Sequence, residues 1–201
     1  MPVSALNSPP MRKPGCAQKN IAGTNANRNR PSGIAVPGSA AEIHNYRQAA
    51  PDLATSGQPR EDQLAAIAGA GYEVIINLAL HDDPRYSLQD EAASVKALGL
   101  QYIHIPVPFG APSTSDLIKF FDAMASHKNR RVWVHCAANM RVTAFLGLYR
   151  CLCEGWAEKP AFALMRDTWQ PDGVWSAFIA SQLAKPSAAL IGAQRGQRPP
   201  G

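Results

Sequence analysis

The stretch RVWVHCAANMRVTAF, residues 131–145, decides how this chain is read. It opens with β-formers, Val132–Trp133–Val134, and reaches His135–Cys136 where that run stops. Small and polar residues follow, then Arg141, and then apolar spacing of helical period begins. The stretch therefore predicts a buried strand, a tight loop and the first turn of an apolar helix. In an open α/β sheet, ligands bind beyond the carboxyl ends of the strands. At such a strand-to-helix junction, unpaired backbone N–H groups and the helix dipole favour an anion. A thiol at the start of the loop lies in the same field, which favours the thiolate. An arginine there offers a planar fork to two oxygens of a phosphate.

The sequence on either side repeats the alternation. LATSGQP (53–59) reads as a short extended piece and REDQLAAIAGAG (60–71) as a helix closed by glycines. EVIINLAL (73–80) is a β-branched run typical of a buried parallel strand. LQDEAASVKALG (88–99) reads as a helix and LQYIHIPV (100–107) as a strand stopped by prolines. STSDLIKFFDAMASH (113–127) opens on cap residues and places Leu117, Phe120, Phe121 and Met124 on one face. MRVTAFLGLYRCLCEG (140–155), KPAFALMRDTW (159–169) and GVWSAFIASQLA (173–184) read as three further helices. Short connections between strands and helices imply right-handed crossovers. The expected fold is α/β and three-layered, with a mostly parallel central sheet covered by helices on both faces.

Composition narrows the function. The formal charge of +5 resides in residues 1–41, which carry five basic side chains and no acid; beyond them acids and bases cancel. A basic nucleic-acid surface on the folded part is thereby disfavoured. No apolar run is long enough for a bilayer span. Four cysteines without a secretory signal point to a reducing, cytoplasmic setting rather than a disulfide framework. Cys151 and Cys153 lie too far apart around a helix to chelate one metal together. Residues 1–41 are rich in Pro, Gly, Ser and Asn and read as a disordered basic tail. A leader or an upstream start is preferred there to an organelle transit peptide. Residues 185–201 read as a second disordered tail, which leaves 42–184 as the folded domain.

The HCAANMR loop resembles the signature loop of cysteine-dependent protein tyrosine and dual-specificity phosphatases. LATSGQP, GYEVIINLAL, YIHIPVPF, VWVHCAANMRVTAF and TWQPDGVW, taken in order, resemble a bacterial protein tyrosine phosphatase family, the beta-lactamase-hydrolase-like phosphatase domain. The resemblance implies a dual-specificity-phosphatase-like fold and hydrolysis of phosphate monoesters through a thiolate phospho-enzyme. It implies Cys136 as nucleophile and Arg141 as phosphate clamp. The cradle would comprise Ala137, Ala138, Asn139, Met140 and Arg141, with His135 and Thr143 supporting the thiolate. It implies no cofactor and no metal, and a phosphorylated small molecule or a phosphoprotein as partner. Two other readings stand beside it: a phosphatase-fold module that binds an anion or partner without turnover, and a rhodanese-like sulfurtransferase.

Two departures from the family pattern bear on activity. The signature places five residues between cysteine and arginine; here there are four, Ala137–Met140. One residue at a helix start is about 100° of rotation, enough to aim the guanidinium elsewhere. The loop also has no glycine, although Asn139 tolerates positive φ. The family's general acid, on the loop after an earlier strand, has only Asp116 as a counterpart in PVPFGAPSTSD, and Asp116 reads as a first-turn helix residue. Asp82 and Asp83 are substitutes on another loop of the same edge, where they also read as a solvated turn before Pro84. His81 beside them suggests a metal, but nothing in the sequence completes a ligand set.

Overall fold

The two runs richest in β-branched residues become interior strands, buried at every position. The structure, a computed structural model, describes residues 39–185. Five strands, β1 (Arg47–Ala50), β2 (Leu53–Ser56), β3 (Val74–Asn77), β4 (Gln101–His104) and β5 (Val132–His135), form one sheet in the order β1-β2-β5-β3-β4. β2, β5, β3 and β4 run parallel. β1 is antiparallel to β2, and the sequence reading missed it. Only Pro51 and Asp52 join the two strands, and so short a link allows a hairpin but no crossover.

The helices are α1 (Glu61–Gly69), α2 (Glu91–Ala97), α3 (Thr114–Ser126), α4 (Met140–Leu152), α5 (Glu158–Ala161), α6 (Ala163–Arg166) and α7 (Gly173–Leu183). Successive strand residues face opposite ways and so sort into two cores. Ile75 and Trp133 pack with Leu64 and Ile67 of α1 and Val95 of α2. Val74, Ile76, Val132 and Val134 join Phe120 and Phe121 of α3, Phe145 of α4 and Trp175 of α7. This is the expected three-layer arrangement with a central sheet.

The single helix expected over 159–169 is two short ones. The break comes at Phe162, where the backbone leaves helical values (φ −95°, ψ 15°). The reason is packing: the Phe162 ring lies against the bare Cα of Gly147. A Cβ built on Gly147 would sit 2.2 Å from Phe162 Cδ1. Alanine gains up to about 1 kcal/mol of helix propensity over glycine, while overpacking a tight core costs about 1–3 kcal/mol. The contact is too close to relax by small shifts, so Gly147→Ala is expected to lower the urea midpoint. A midpoint at or above that of the parent would mean that Phe162 moves aside freely.

The tails expected over 1–41 and 185–201 fall outside the described residues except at their inner ends. There, Ser39 caps a single turn at Ala40–Glu42, and Lys185 donates to Thr114 Oγ1 at 3.0 Å. Among the described residues no helix is long and apolar enough to cross a membrane.

Candidate active site

β5 is flanked by β2 and β3 and delivers His135–Cys136 to the carboxyl edge of the sheet. The chain then turns through Ala137–Asn139 into α4. Asn139 makes the turn at φ 65°, so it fills the left-handed position usually left to glycine. Its buried amide locks that turn, with Nδ2 donating to Asn45 O at 2.7 Å and to Thr55 Oγ1 at 3.0 Å. Asn45 in turn donates its Nδ2 to Ala138 O at 3.0 Å. Gln58 N donates to Ala137 O at 3.1 Å and Cys136 N to Ser56 O at 3.3 Å. Gly57 permits this close approach, because a Cβ there would lie 2.8 Å from Ala137 O.

The loop carbonyls are thus tied to the β1–β2 side. The amides of Ala137, Ala138, Met140 and Arg141 donate to no acceptor among the described residues. A set of free N–H groups at the start of an apolar helix is an anion nest.

Arg141 lies in the first turn of α4 and, despite the short spacing, reaches the groove outside this loop. Its Nη1 donates to Leu78 O at 3.0 Å, and its guanidinium lies 5.6 Å from the centre of the Phe109 ring. Its Nε is buried and has no hydrogen-bond partner among the described residues. The groove measures about 450 Å³ and is bordered by Ala137, Arg141, Phe109, Asp82, Asp83 and Tyr86, with further residues of the 79–86 loop. Phe109 and Tyr86 stand 41% and 45% exposed at its rim.

The remaining expected residues are distributed unevenly. Cys136 is 1% exposed and does not itself line the groove. Thr143 has its hydroxyl within donating distance of two carbonyls, Asn139 O at 2.9 Å and Met140 O at 3.1 Å, which share its one proton. The first turn of α4 leaves those carbonyls within reach, so the hydroxyl is committed to the backbone. Asp116 is a cap residue, as its sequence context indicates: it accepts from Ser113 Oγ at 2.7 Å and pairs with Lys119 at 3.3 Å. It does not border the groove.

Behind the loop lies a polar network that the sequence reading missed. His135 Nε2 and Glu91 Oε1 are 2.6 Å apart, both side chains wholly buried, with the ring N–H off the line to the oxygen. Glu91 Oε2 accepts from Gln58 Nε2 and Asn77 Nδ2, each at 3.1 Å. Asn77 Nδ2 also donates to Tyr102 OH at 3.0 Å. His81 Nε2 lies 4.0 Å from Glu91 Oε2, and its ring stacks on His104 at 4.1 Å. Burial pushes the Glu91 carboxyl up, but His135, Gln58 and His81 outweigh it and hold it below the ordinary carboxylate value. Burial and the neighbouring His104 keep His81 from protonating at its usual pH. Burial raises the Tyr102 hydroxyl. One signal was visible beforehand: Asn77 is a polar residue inside an apolar strand. Glu91 offered none, because an acid in a first helical turn ordinarily faces solvent and complements the dipole.

The sheet order, the strand-to-helix loop and the arginine after it define a protein of the dual-specificity-phosphatase-like fold. Residues 45–152, more than half of the chain, match the family model described as beta-lactamase hydrolase-like protein, phosphatase-like domain, and the chain belongs to that family. Beta-lactamase hydrolase-like proteins of Xylella fastidiosa, strains Temecula1 and 9a5c, are 34% identical over 98 residues, covering 48% of this chain and 22% of theirs. The chain thus spans about a fifth of the length of these curated relatives. A DUF442 protein from Shewanella putrefaciens CN-32 is 32% identical, with a TM-score of 0.65 over 72% of this chain and 95% of that one. The core catalytic domain of a PP-IP phosphatase from S. cerevisiae, solved with citrate, shares the fold at 16% identity. Its TM-score is 0.59, over 78% of this chain and 96% of that one. A TpbA variant from P. aeruginosa, solved in complex with pTyr, shares the fold at 16% identity and a TM-score of 0.56, over 75% and 90% of the two chains.

Proposed function

We propose that this protein is a cysteine-dependent phosphomonoesterase acting on phosphorylated small molecules or phosphoproteins. The observation that carries the reading is Arg141. Its Nη1 is anchored on Leu78 O, and its buried Nε has no partner among the described residues at the edge of a groove shared with Ala137. An unsatisfied buried donor costs about 1–3 kcal/mol. A charged one in an anion nest gains most from an oxyanion that takes both its N–H and the loop amides. In this reading the phosphoryl oxygens rest on the free amides of Ala137, Ala138, Met140 and Arg141. The Cys136 thiolate attacks phosphorus and is later released by water. The Glu91–His135 pair holds the strand end from which the cysteine projects. The fold neighbours that act on PP-IP or hold pTyr are consistent with a phosphate ester as substrate. The nucleophile has to remain a free thiol, which suits a reducing, cytoplasmic setting.

Rapid quenching of the protein with phenyl phosphate tests this directly. A phosphoryl group should be found on the Cys136 peptide by mass spectrometry. Ester hydrolysis without label on that peptide would sink the mechanism. A second reading, an anion-binding module without turnover, is favoured by the 1% exposure of Cys136 and its absence from the groove lining. It predicts that phosphate raises the melting temperature while no ester is hydrolysed.

A further inference from the structure

We propose that Asp82 is the proton donor to the leaving oxygen, a role supplied by the loop after β3 instead of the loop after β4; this rests on the phosphomonoesterase reading above. The groove beside Arg141 is bordered by two carboxylates, Asp82 and Asp83. Asp83 is occupied. Arg85 donates through Nε to Oδ1 at 3.0 Å and through Nη2 to Oδ2 at 2.7 Å, and its backbone N–H adds a third bond to Oδ1 at 3.0 Å. Those contacts, led by the Arg85 side-chain bonds, favour the ionised form of Asp83 and hold its carboxylate on Arg85. Asp116 is held in the cap of α3 by Ser113 and Lys119. The loop after β4 brings Phe109 to the groove, beneath the Arg141 guanidinium, and no acid. Asp82 is exposed, and its carboxyl makes no hydrogen bond or ion pair among the described residues. It is the groove carboxyl free to rotate toward a substrate.

The Cys136 thiolate forms a bond to phosphorus as the ester P–O bond breaks. The leaving oxygen takes the electron pair and the Asp82 proton, and departs as an alcohol. The Asp82 carboxylate then accepts a proton from water as that water attacks phosphorus. The S–P bond breaks, inorganic phosphate leaves, and the thiolate and the protonated Asp82 are restored.

Leaving-group dependence distinguishes a proton donor from a residue that merely shapes the groove. Phenol leaves poorly as its anion, with a pKa near 10 for the phenolic group, whereas p-nitrophenol leaves readily without help. In the full chain, Asp82→Asn should lower kcat/KM for phenyl phosphate by roughly 10²-fold or more. It should lower that for p-nitrophenyl phosphate by less than about tenfold, with an unchanged melting temperature. Asp82→Glu should recover part of the phenyl phosphate activity, and Asp83→Asn should not reproduce the selective loss. Equal losses on both esters, no loss on either, or a selective loss in Asp83→Asn would each overturn the assignment. A parent protein that hydrolyses neither ester removes the phosphomonoesterase reading itself, and the Asp82 proposal with it. A normal parent with an insensitive Asp82→Asn removes the proposal alone.

Discussion

Cys136→Ser is expected to lower phenyl phosphate turnover by roughly 10⁴-fold or more, as loss of an activated nucleophile does, while leaving phosphate binding in place. The two effects separate because different atoms carry them. In the proposed reading, binding rests on the free amides of Ala137, Ala138, Met140 and Arg141 and on the Arg141 guanidinium, and none of these groups is replaced when sulfur is exchanged for oxygen. Attack on phosphorus needs an anionic nucleophile, and a serine hydroxyl ionises far less readily than a thiol. Phosphate at about 100 times its Kd should stabilise parent and variant alike by about 2.7 kcal/mol, read as equal rises in melting temperature. Retained turnover would place the nucleophile elsewhere. Loss of the phosphate effect in both proteins would mean that the nest does not hold an oxyanion.

Glu91→Ala should be the most damaging substitution to stability. Each buried polar group left without its partner costs about 1–3 kcal/mol, against a total of about 5–15 kcal/mol for a typical domain. Here the loss strands His135, Gln58 and Asn77 together, because all three direct polar atoms at the same carboxylate. The drop in urea midpoint at neutral pH measures it. The pH dependence gives an independent check. The folded-state pKa of Glu91 lies below its ordinary value of 4.5, so its contribution is fully present above that pH and is withdrawn as pH falls toward the folded value. The gap between parent and Glu91→Ala should therefore close on acidification below about pH 4.5. A gap that stayed constant to lower pH would mean that Glu91 stabilises by filling space and not by its charge.

The layers of the fold were legible because each depends on local pattern. β-branched runs over 73–80 and 130–135 mark strands buried on both faces, and the 3.6-residue spacing of Leu117, Phe120, Phe121 and Met124 marks α3. The strand-to-helix loop was legible for the same reason: strand, small residues, arginine and helix are contiguous in the chain. Asn139's positive φ could be anticipated from residue type alone. β1 was not legible, because Arg47–Ala50 is short and lacks alternation, and it becomes a strand only by pairing with β2. The split at Phe162 was hidden too, since it answers to Gly147, fifteen residues away on another helix.

From the sequence alone, this protein is set as a mostly parallel central sheet between helical layers, with a short strand-to-helix loop after Cys136. What Arg141 touches, which aspartates border the groove and what stands behind His135 were decided only by tertiary structure. These questions turn on contacts between distant segments: Arg141 with Leu78, Ala138 with Asn45, and His135 with Glu91. Hydrophobic periodicity reports whether a residue is buried or exposed within its own element. It carries no information about which polar group across the sheet will satisfy it.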